Sequence, residues 1–424
     1  MKRTALRWIA AISALATGAG AIEAARRPQY GGELRIEMRA TLRSLDPAEE
    51  VSDPAALAAQ LQLVPAVFET LVRLDERGDP QPWLASAWIH DVPRKLWVFT
   101  ARRNVLLHDG SPWSPPDGVI EVPDDKPIEQ ILRDLARPRS AVVVRTPDGS
   151  LVGTGPFRIT SWDSDRGGTL SAHDGYWGGR PYLDRIEIQM GRALADQAVD
   201  FQLGKADVVE DQVTSLRRLK QAGTSVFLTN LAETLALQFD ETRVPENVRE
   251  AVALAIDRPT IHDVILQRQG EVSAALLPRS LSGYSFLFTS VRDVARARQI
   301  APSAAPLAFT YDAQDPVARP VGQRIEVNVR EAGITLRPSS GAADVRLVRL
   351  PVTSRDPWIA LQDMAALTKA PPAAGASAYE TERALLEKFR VIPLVQLPKV
   401  WVLSSRVRDW PRLADVWIDP ARKP

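Results

Sequence analysis

Residue types able to do chemistry are few in this chain and widely spaced. Four histidines, His90, His108, His173 and His262, stand far apart, and there is no cysteine at all. Thiol catalysis, disulfides, cysteine–zinc sites and lipid attachment to a cysteine are therefore excluded, and no metal centre is expected. The carboxylate pairs Asp124-Asp125 and Glu49-Glu50 have the right type for general acid–base work, but they lie in polar stretches and read as solvated loop faces. His108, in His-Asp-Gly, sits beside a turn and reads as its anchor. No G-x-S-x-G elbow, H-E-x-x-H, phosphate loop or post-strand G-x-G-x-x-G is present, so no enzyme activity and no cofactor are expected. Eleven tryptophans are the unusual feature. Their rigid area and polar handle suit small-molecule pockets as well as cores.

The elements that would position such residues are those of an exported globular protein. At 424 residues, 45% hydrophobic and 25% charged, the chain is long enough for more than one domain. Lys and Arg (53) balance Asp and Glu (52), which argues against a nucleic-acid binder. Met1-Lys2-Arg3, an apolar run from Trp8 to Ala16, and small residues through Ala24-Ala25 have the layout of a signal peptide over residues 1–24. Cleavage is expected after Ala21 or Ala24, giving a periplasmic, non-lipidated monomer.

Within the body, Leu34 to Met38 alternates as a strand. Asp53-Pro54 opens a helical run ending near Leu74. A strand is expected over 95–101, loop over 111–125, a helix over 128–135 and a short strand over 142–144. Short strands follow at 157–160, 186–188 and 206–209. Helices are expected at 193–203, 248–256, 317–332 and 379–390, a Pro/Ala/Gly loop at 370–378, and an extended segment at 391–395. Strands and helices alternate throughout, so the fold class is α/β.

Several blocks carry a family resemblance. Tyr30-Gly-Gly-Glu-Leu-Arg-Ile and Ser44-Leu45-Asp46-Pro47 come first. They are followed by Val67-Phe68-Glu69-Thr70-Leu71-Val72-Arg73-Leu74-Asp75, Pro82-Trp83-Leu84, and Trp97-Val98-Phe99 up to His108-Asp109-Gly110. Farther on stand Gly153-Thr154-Gly155-Pro156-Phe157, Gly175-Tyr176-Trp177-Gly178-Gly179-Arg180-Pro181-Tyr182, and Val248 to Arg258. In this order they resemble the family 5 extracytoplasmic solute-binding proteins, the dipeptide and oligopeptide receptors of ABC importers.

That resemblance implies a two-lobed, periplasmic binding protein type II-like fold with a hinged cleft. Lobe I would comprise 28–240 plus 391–424, with a reduced outer subdomain at 111–152, and lobe II 241–390. It also implies a small solute, peptide-like or otherwise organic, and an inner-membrane permease as partners. The expected cleft residues are Arg39, Thr41 and Leu42 from the first loop, Glu69, then Thr353, Asp356 and Trp358, and Trp401 on the returning strand. Glu69 reads equally as a framework acid paired with an arginine, and Trp401 as core. Peptide receptors of the family hold the ligand's α-amino group with an aspartate just ahead of an Asp-Pro. Here Asp356-Pro357 is present but the amine-binding position falls on Thr353, so free α-amino peptides are not the expected ligand unless Asp344 or Asp356 substitutes. A second reading keeps the fold without transport, as a sensor or accessory protein. A cleft cavity below about 300 Å³ would favour it.

Overall fold

The computed structural model describes residues 27–283, 291–370 and 377–422. The signal-peptide reading and most of the 370–378 loop lie outside the described residues. The chain begins with strand β1 (Glu33–Glu37), whose alternation buries Leu34 and Ile36 and turns Arg35 to the opposite face. Helix α1 (Pro54–Leu63) is capped by Asp53, whose Oδ1 accepts from Ala56 N at 2.8 Å, with Pro54 in the first turn. It is shorter than the sequence suggests. Pro65 has no N–H to continue the ladder, a 3₁₀ turn (Val64–Ala66) follows, and Val72–Leu74 is extended.

A small antiparallel sheet comes next: β2 (Ala85–Asp91), β3 (Leu96–Ala101) and β4 (Val119–Pro123). β4 corrects the expected loop at 111–125. Its Val-Ile-Glu-Val run pairs with β3, from Thr100 opposite Val119 to Leu96 opposite Pro123, despite the Pro- and Asp-rich flanks. Helix α2 (Ile128–Leu135) packs Ile131 and Leu132 among Leu71, Val72, Phe99 and Val105.

The further strands along the large sheet are β5 (Phe157–Asp163), β6 (Gly167–Ala172), β7 (Arg185–Gln189), β8 (Val208–Asp211), β9 (Ser225–Phe239), β10 (Leu307–Thr310), β11 (Leu336–Pro338), β12 (Val345–Pro351) and β13 (Val391–Leu403). The remaining helices used below are α3 (Leu194–Gln202), α4 (Glu246–Ala255), α5 (Ala318–Glu331), α6 (Pro357–Thr368) and α7 (Ala378–Leu386). One sheet runs β11-β10-β12-β9-β13-β8-β1-β7-β6-β5, with Glu271–Val272 added beside β13. Its flanks contain parallel pairs, β1 with β7 and β8, and β10 with β11 and β12. Its centre is the long antiparallel pair β9–β13.

Two large apolar clusters lie in the two halves of this sheet. One gathers Leu34, Ile36, Phe68, Phe157 and Trp401; the other packs α4 and α5 against β9, β10 and β12. In the first half, the fully buried Asp207 accepts from Arg35 Nε at 2.9 Å and Arg406 Nε at 2.7 Å. Burial alone would raise its carboxyl, but the two guanidinium groups outweigh that and hold it below the ordinary range.

Candidate functional site

The two strands at the middle of the sheet are interrupted where the halves meet. β13 carries Pro393 and Pro398, neither of which donates to a ladder. The β9–β13 register shifts beside each of them, between Leu235 and Ala236 and between Leu228 and Ala232. At the second shift the Lys399 backbone N–H donates to Thr229 Oγ1 at 3.0 Å. Beside this shift lies a cavity of about 80 Å³, lined by Arg39, Glu210 and Gln212 from one half, Arg349 and Pro351 from the other, and Glu233 and Lys399 from the crossing strands.

The charges around it are paired. Arg349 donates to both oxygens of Asp315, Nε at 2.7 Å and Nη2 at 3.0 Å, with Nη1 to Glu233 Oε2 at 3.1 Å and Nη2 to Gln212 Oε1 at 2.9 Å. Glu210 accepts from Lys399 Nζ at 2.7 Å and from the Arg39 backbone N–H at 2.6 Å. The Arg39 guanidinium reaches Asp312 at 2.5 Å and Asp315 at 3.8 Å. Burial pushes Glu210 and Asp315 upward, yet Lys399 beside the first and Arg349 beside the second leave both carboxyls below their ordinary values. Arg349 is held above its ordinary value by Glu233 and Asp315 despite its burial. A cavity of this size holds only a few waters. A second, open depression of about 500 Å³ lies over β6 and β7 on the outer part of the sheet, away from the crossing.

Of the residues expected in the cleft, Arg39 lines this cavity. Thr41 is exposed outside it, and Leu42 is core, its carbonyl accepting from Trp162 Nε1 at 3.1 Å. Trp401 is 1% exposed and packs edge-on against Trp410, with Lys399 Nζ 4.6 Å above its ring. It thus supports a cavity residue from beneath. Trp358 is half-buried in the first turn of α6.

Glu69 lies elsewhere, under the small sheet, and no arginine among the described residues pairs with it. Its Oε1 accepts from Trp83 Nε1 at 2.8 Å and Tyr176 Oη at 2.9 Å, and its Oε2 from Thr154 Oγ1 at 2.8 Å and Trp177 Nε1 at 3.0 Å. Positive charge arrives one ring away, with Arg73 3.9 Å over Trp83 and Arg102 4.3 Å over Trp177. Burial still raises the carboxyl, against the pull of its four donors. It fastens the Gly153-Thr154 and Tyr176-Trp177 turns to one point.

Thr353 and Asp356 belong to a contact between the halves. Thr353 Oγ1 donates to Asp363 Oδ2 at 2.6 Å, and Asp363 also takes the Arg137 guanidinium. Asp356 caps α6, its Oδ1 accepting from Trp358 N at 2.9 Å and Ile359 N at 3.0 Å, while its Oδ2 takes Arg133 Nε at 2.6 Å. Sequence reasoning missed Glu210, Gln212, Glu233 and Lys399 at the cavity, and Arg133 and Arg137 at this contact. The one local signal was the four-residue spacing of the two arginines around the end of α2.

Comparison with known proteins agrees with this geometry. The profile of the bacterial extracellular solute-binding proteins, family 5 (middle region), matches residues 125–374, more than half of the chain. The nickel-binding periplasmic protein of Escherichia coli K12 is 23% identical over 266 residues, 51% of this chain and 51% of its own. The chain thus spans about half the length of that relative. NikA of Staphylococcus aureus with Ni(L-His)2 superposes with a TM-score of 0.77 at 15% identity, covering 91% of this chain and 100% of that one. AppA of Bacillus subtilis with a nonapeptide gives 0.76 at 14%, covering 93% and 100%. These structures are two-lobed periplasmic binding proteins, and this chain shares their fold. No described helix is long and apolar enough to cross a membrane. By its profile match, and in keeping with its fold, the chain belongs to the bacterial extracellular solute-binding proteins of family 5.

Proposed function

We propose that this chain is the extracytoplasmic receptor of an ABC importer, a monomer exported on its N-terminal signal and handing a small organic solute to an inner-membrane permease. It works by closure of its two lobes and carries out no reaction of its own. The supporting observation is the cavity at the strand crossing, where polar groups from both halves and from both connecting strands converge.

The ligand chemistry follows from the pairing. Every charged side chain lining the cavity already has an opposite charge within reach among the described residues. An ion entering would have to displace one of these partners and leave it uncompensated. The cargo proposed is therefore neutral or zwitterionic and rich in hydrogen-bonding groups. The two acids nearest in sequence to the missing amine-binding aspartate are engaged: Asp356 by Arg133, and Asp344 by Arg243 at 2.9 Å and Ala308 N at 2.7 Å. Free α-amino peptides are thus not the expected cargo. Two named relatives are described as nickel-binding. Among the described residues no group of three or more His, Cys, Asp or Glu is placed to hold a metal ion.

The test is native mass spectrometry of the mature protein purified gently from a periplasm. An added small-molecule mass that leaves on partial unfolding is the expected result, and its identity names the cargo. Tight binding of unmodified di- to pentapeptides overturns the amine argument. The second reading, a sensor or accessory protein that keeps the fold without transport, draws support from the cavity's about 80 Å³, below the roughly 300 Å³ of ordinary ligand pockets. A mass that stays ligand-free after exposure to solute mixtures would select it.

A further inference from the structure

The cavity at the strand crossing has a composition that narrows what it can hold. Its lining carries three cationic side chains, Arg39, Arg349 and Lys399, and three anionic ones, Glu210, Asp211 and Glu233. Gln212 is the one neutral polar side chain among the described lining residues. A neutral ligand would therefore depend on groups already committed to one another. At about 80 Å³ the space is also small, below the roughly 300 Å³ of ordinary ligand pockets. It limits the ligand to a molecule of few non-hydrogen atoms and leaves no room for a peptide.

The pairs differ in how readily one partner can be exchanged. Glu210 is paired with Lys399 at 2.7 Å, and without it would keep only the Arg39 backbone N–H at 2.6 Å. Arg349 is held differently. Asp315 accepts from its Nε at 2.7 Å and its Nη2 at 3.0 Å, and is itself fixed at the start of α5 by Val317 N at 2.8 Å and Ala318 N at 3.1 Å. Gln212 accepts from Nη2 at 2.9 Å. Glu233 accepts from Nη1 alone, at 3.1 Å, the longest of these contacts to the guanidinium. Exchange of Glu233 thus leaves Arg349 oriented and paired. Glu233 is the partner that loses, since Arg349 is its one ion pair among the described residues.

A ligand with a single charge cannot use this difference, because it compensates Arg349 or Glu233 and not both. A ligand with two opposite charges close together can. We infer that the cavity takes a compact zwitterion of the amino-acid class, its carboxylate replacing Glu233 on Arg349 Nη1 and its ammonium replacing Arg349 on the Glu233 carboxylate. The inserted molecule completes both charges, so neither is left buried and unpaired. Nη1 and Glu233 Oε2 stand 3.1 Å apart on the paired strands β12 and β9. The ligand's own charges must therefore lie close together, which selects glycine or β-alanine over longer ω-amino acids. Glu233 becomes the specificity-determining residue, reading the ammonium, and Arg349 reads the carboxylate. This assignment rests on the solute-receptor reading of the cavity.

Isothermal titration calorimetry on the purified, dialysed protein tests this with glycine, β-alanine, the one-charge analogues propionate and propylamine, and the longer zwitterions diglycine and 5-aminopentanoate. Glycine or β-alanine should bind saturably. Each one-charge analogue should be weaker by about 100-fold or more, the loss expected when one partner of a buried pair is left alone. Glu233→Gln removes the charge that the ammonium reads and leaves Arg349 with Asp315. Affinity for β-alanine should fall in this variant. Propionate, which then leaves no carboxylate unpaired, should bind the variant more tightly than it binds wild type. A residue that only shapes the fold would weaken both ligands alike. Equal binding of β-alanine and propionate by wild type, preference for diglycine, or no binding of any compact zwitterion overturns the inference. Should Glu233→Gln fail to fold by circular dichroism, the wild-type series decides alone. A retained solute of another class in the mass measurement overturns the zwitterion and leaves the receptor reading standing, whereas no ligand in either measurement overturns both.

Discussion

Glu69 and the acids of the strand crossing are all carboxylates taken out of water, and the protein stabilises them in opposite ways. Glu69 is surrounded by four neutral donors, three of them aromatic, with cations held one ring away. Glu210, Glu233 and Asp315 are matched directly by Lys399 and Arg349. A direct ion pair loses little when its site floods, because both ions are rehydrated together. Neutral donors on packed indoles have no such second state; they serve one geometry. The difference separates a framework node, meant to stay shut, from a seam that can part and re-form.

The largest expected effect breaks the framework side. Glu69→Gln puts an amide NH2 against two donors, and the unsatisfied polar groups should cost about 3 kcal/mol or more. Chemical denaturation should show this as a lowered midpoint with an unchanged slope. Acid probes the same region. His108 Nε2 and His173 Nδ1 both approach the Gly155 carbonyl at 3.1 Å, and burial lowers His108 to about 4. Its folded pKa is depressed below the ordinary 6.5, so the stability it contributes is present above pH ~6.5 and lost as pH falls toward ~4. The loss is of order 2–3 kcal/mol, and a melting series over that window should flatten in His108→Gln.

The seam should respond less. Arg349→Met leaves Glu233 without Arg349 and Asp315 with only the Arg39 guanidinium at 3.8 Å, but opening lets water reach them. A loss of about 1–2 kcal/mol is expected, below the roughly 3–5 for a pair that cannot rehydrate, with a measurable rise in radius of gyration by small-angle scattering. A loss as large as that of Glu69→Gln would erase the distinction. Smallest of all, Gly78→Ala should cost about 1 kcal/mol from its positive φ, read by chemical denaturation.

Much of the fold was legible in the chain. Helix α2 was readable end to end because Ile128, Ile131, Leu132 and Leu135 repeat at helical spacing between prolines. β4 was masked because its short Val-Ile-Glu-Val run sits among Pro, Gly and Asp, and its pairing with β3 is a tertiary fact. α1 was overextended because the apolar run continues past Pro65 into a turn and a strand. The cavity was legible only at Arg39. Glu210, Glu233, Arg349 and Lys399 lie on four different strands, and β-sheet register, which no local pattern encodes, brings them together. Glu69 was visible as a singular acid in an apolar helix-like run, but its donors come from segments up to 108 residues away.

The order in which strands enter the sheet bears on how the protein is made. β13, the sheet's central member, ends at Leu403, close to the C-terminus, yet it pairs with β8 and along nearly all of β9. Neither half of the sheet is complete until this strand is in place. Both apolar clusters contain its residues, Trp401 in one and Ile392, Leu394 and Val395 in the other. Pairing across such sequence separation is slow to form. The topology therefore makes the compaction of both halves wait on this one strand.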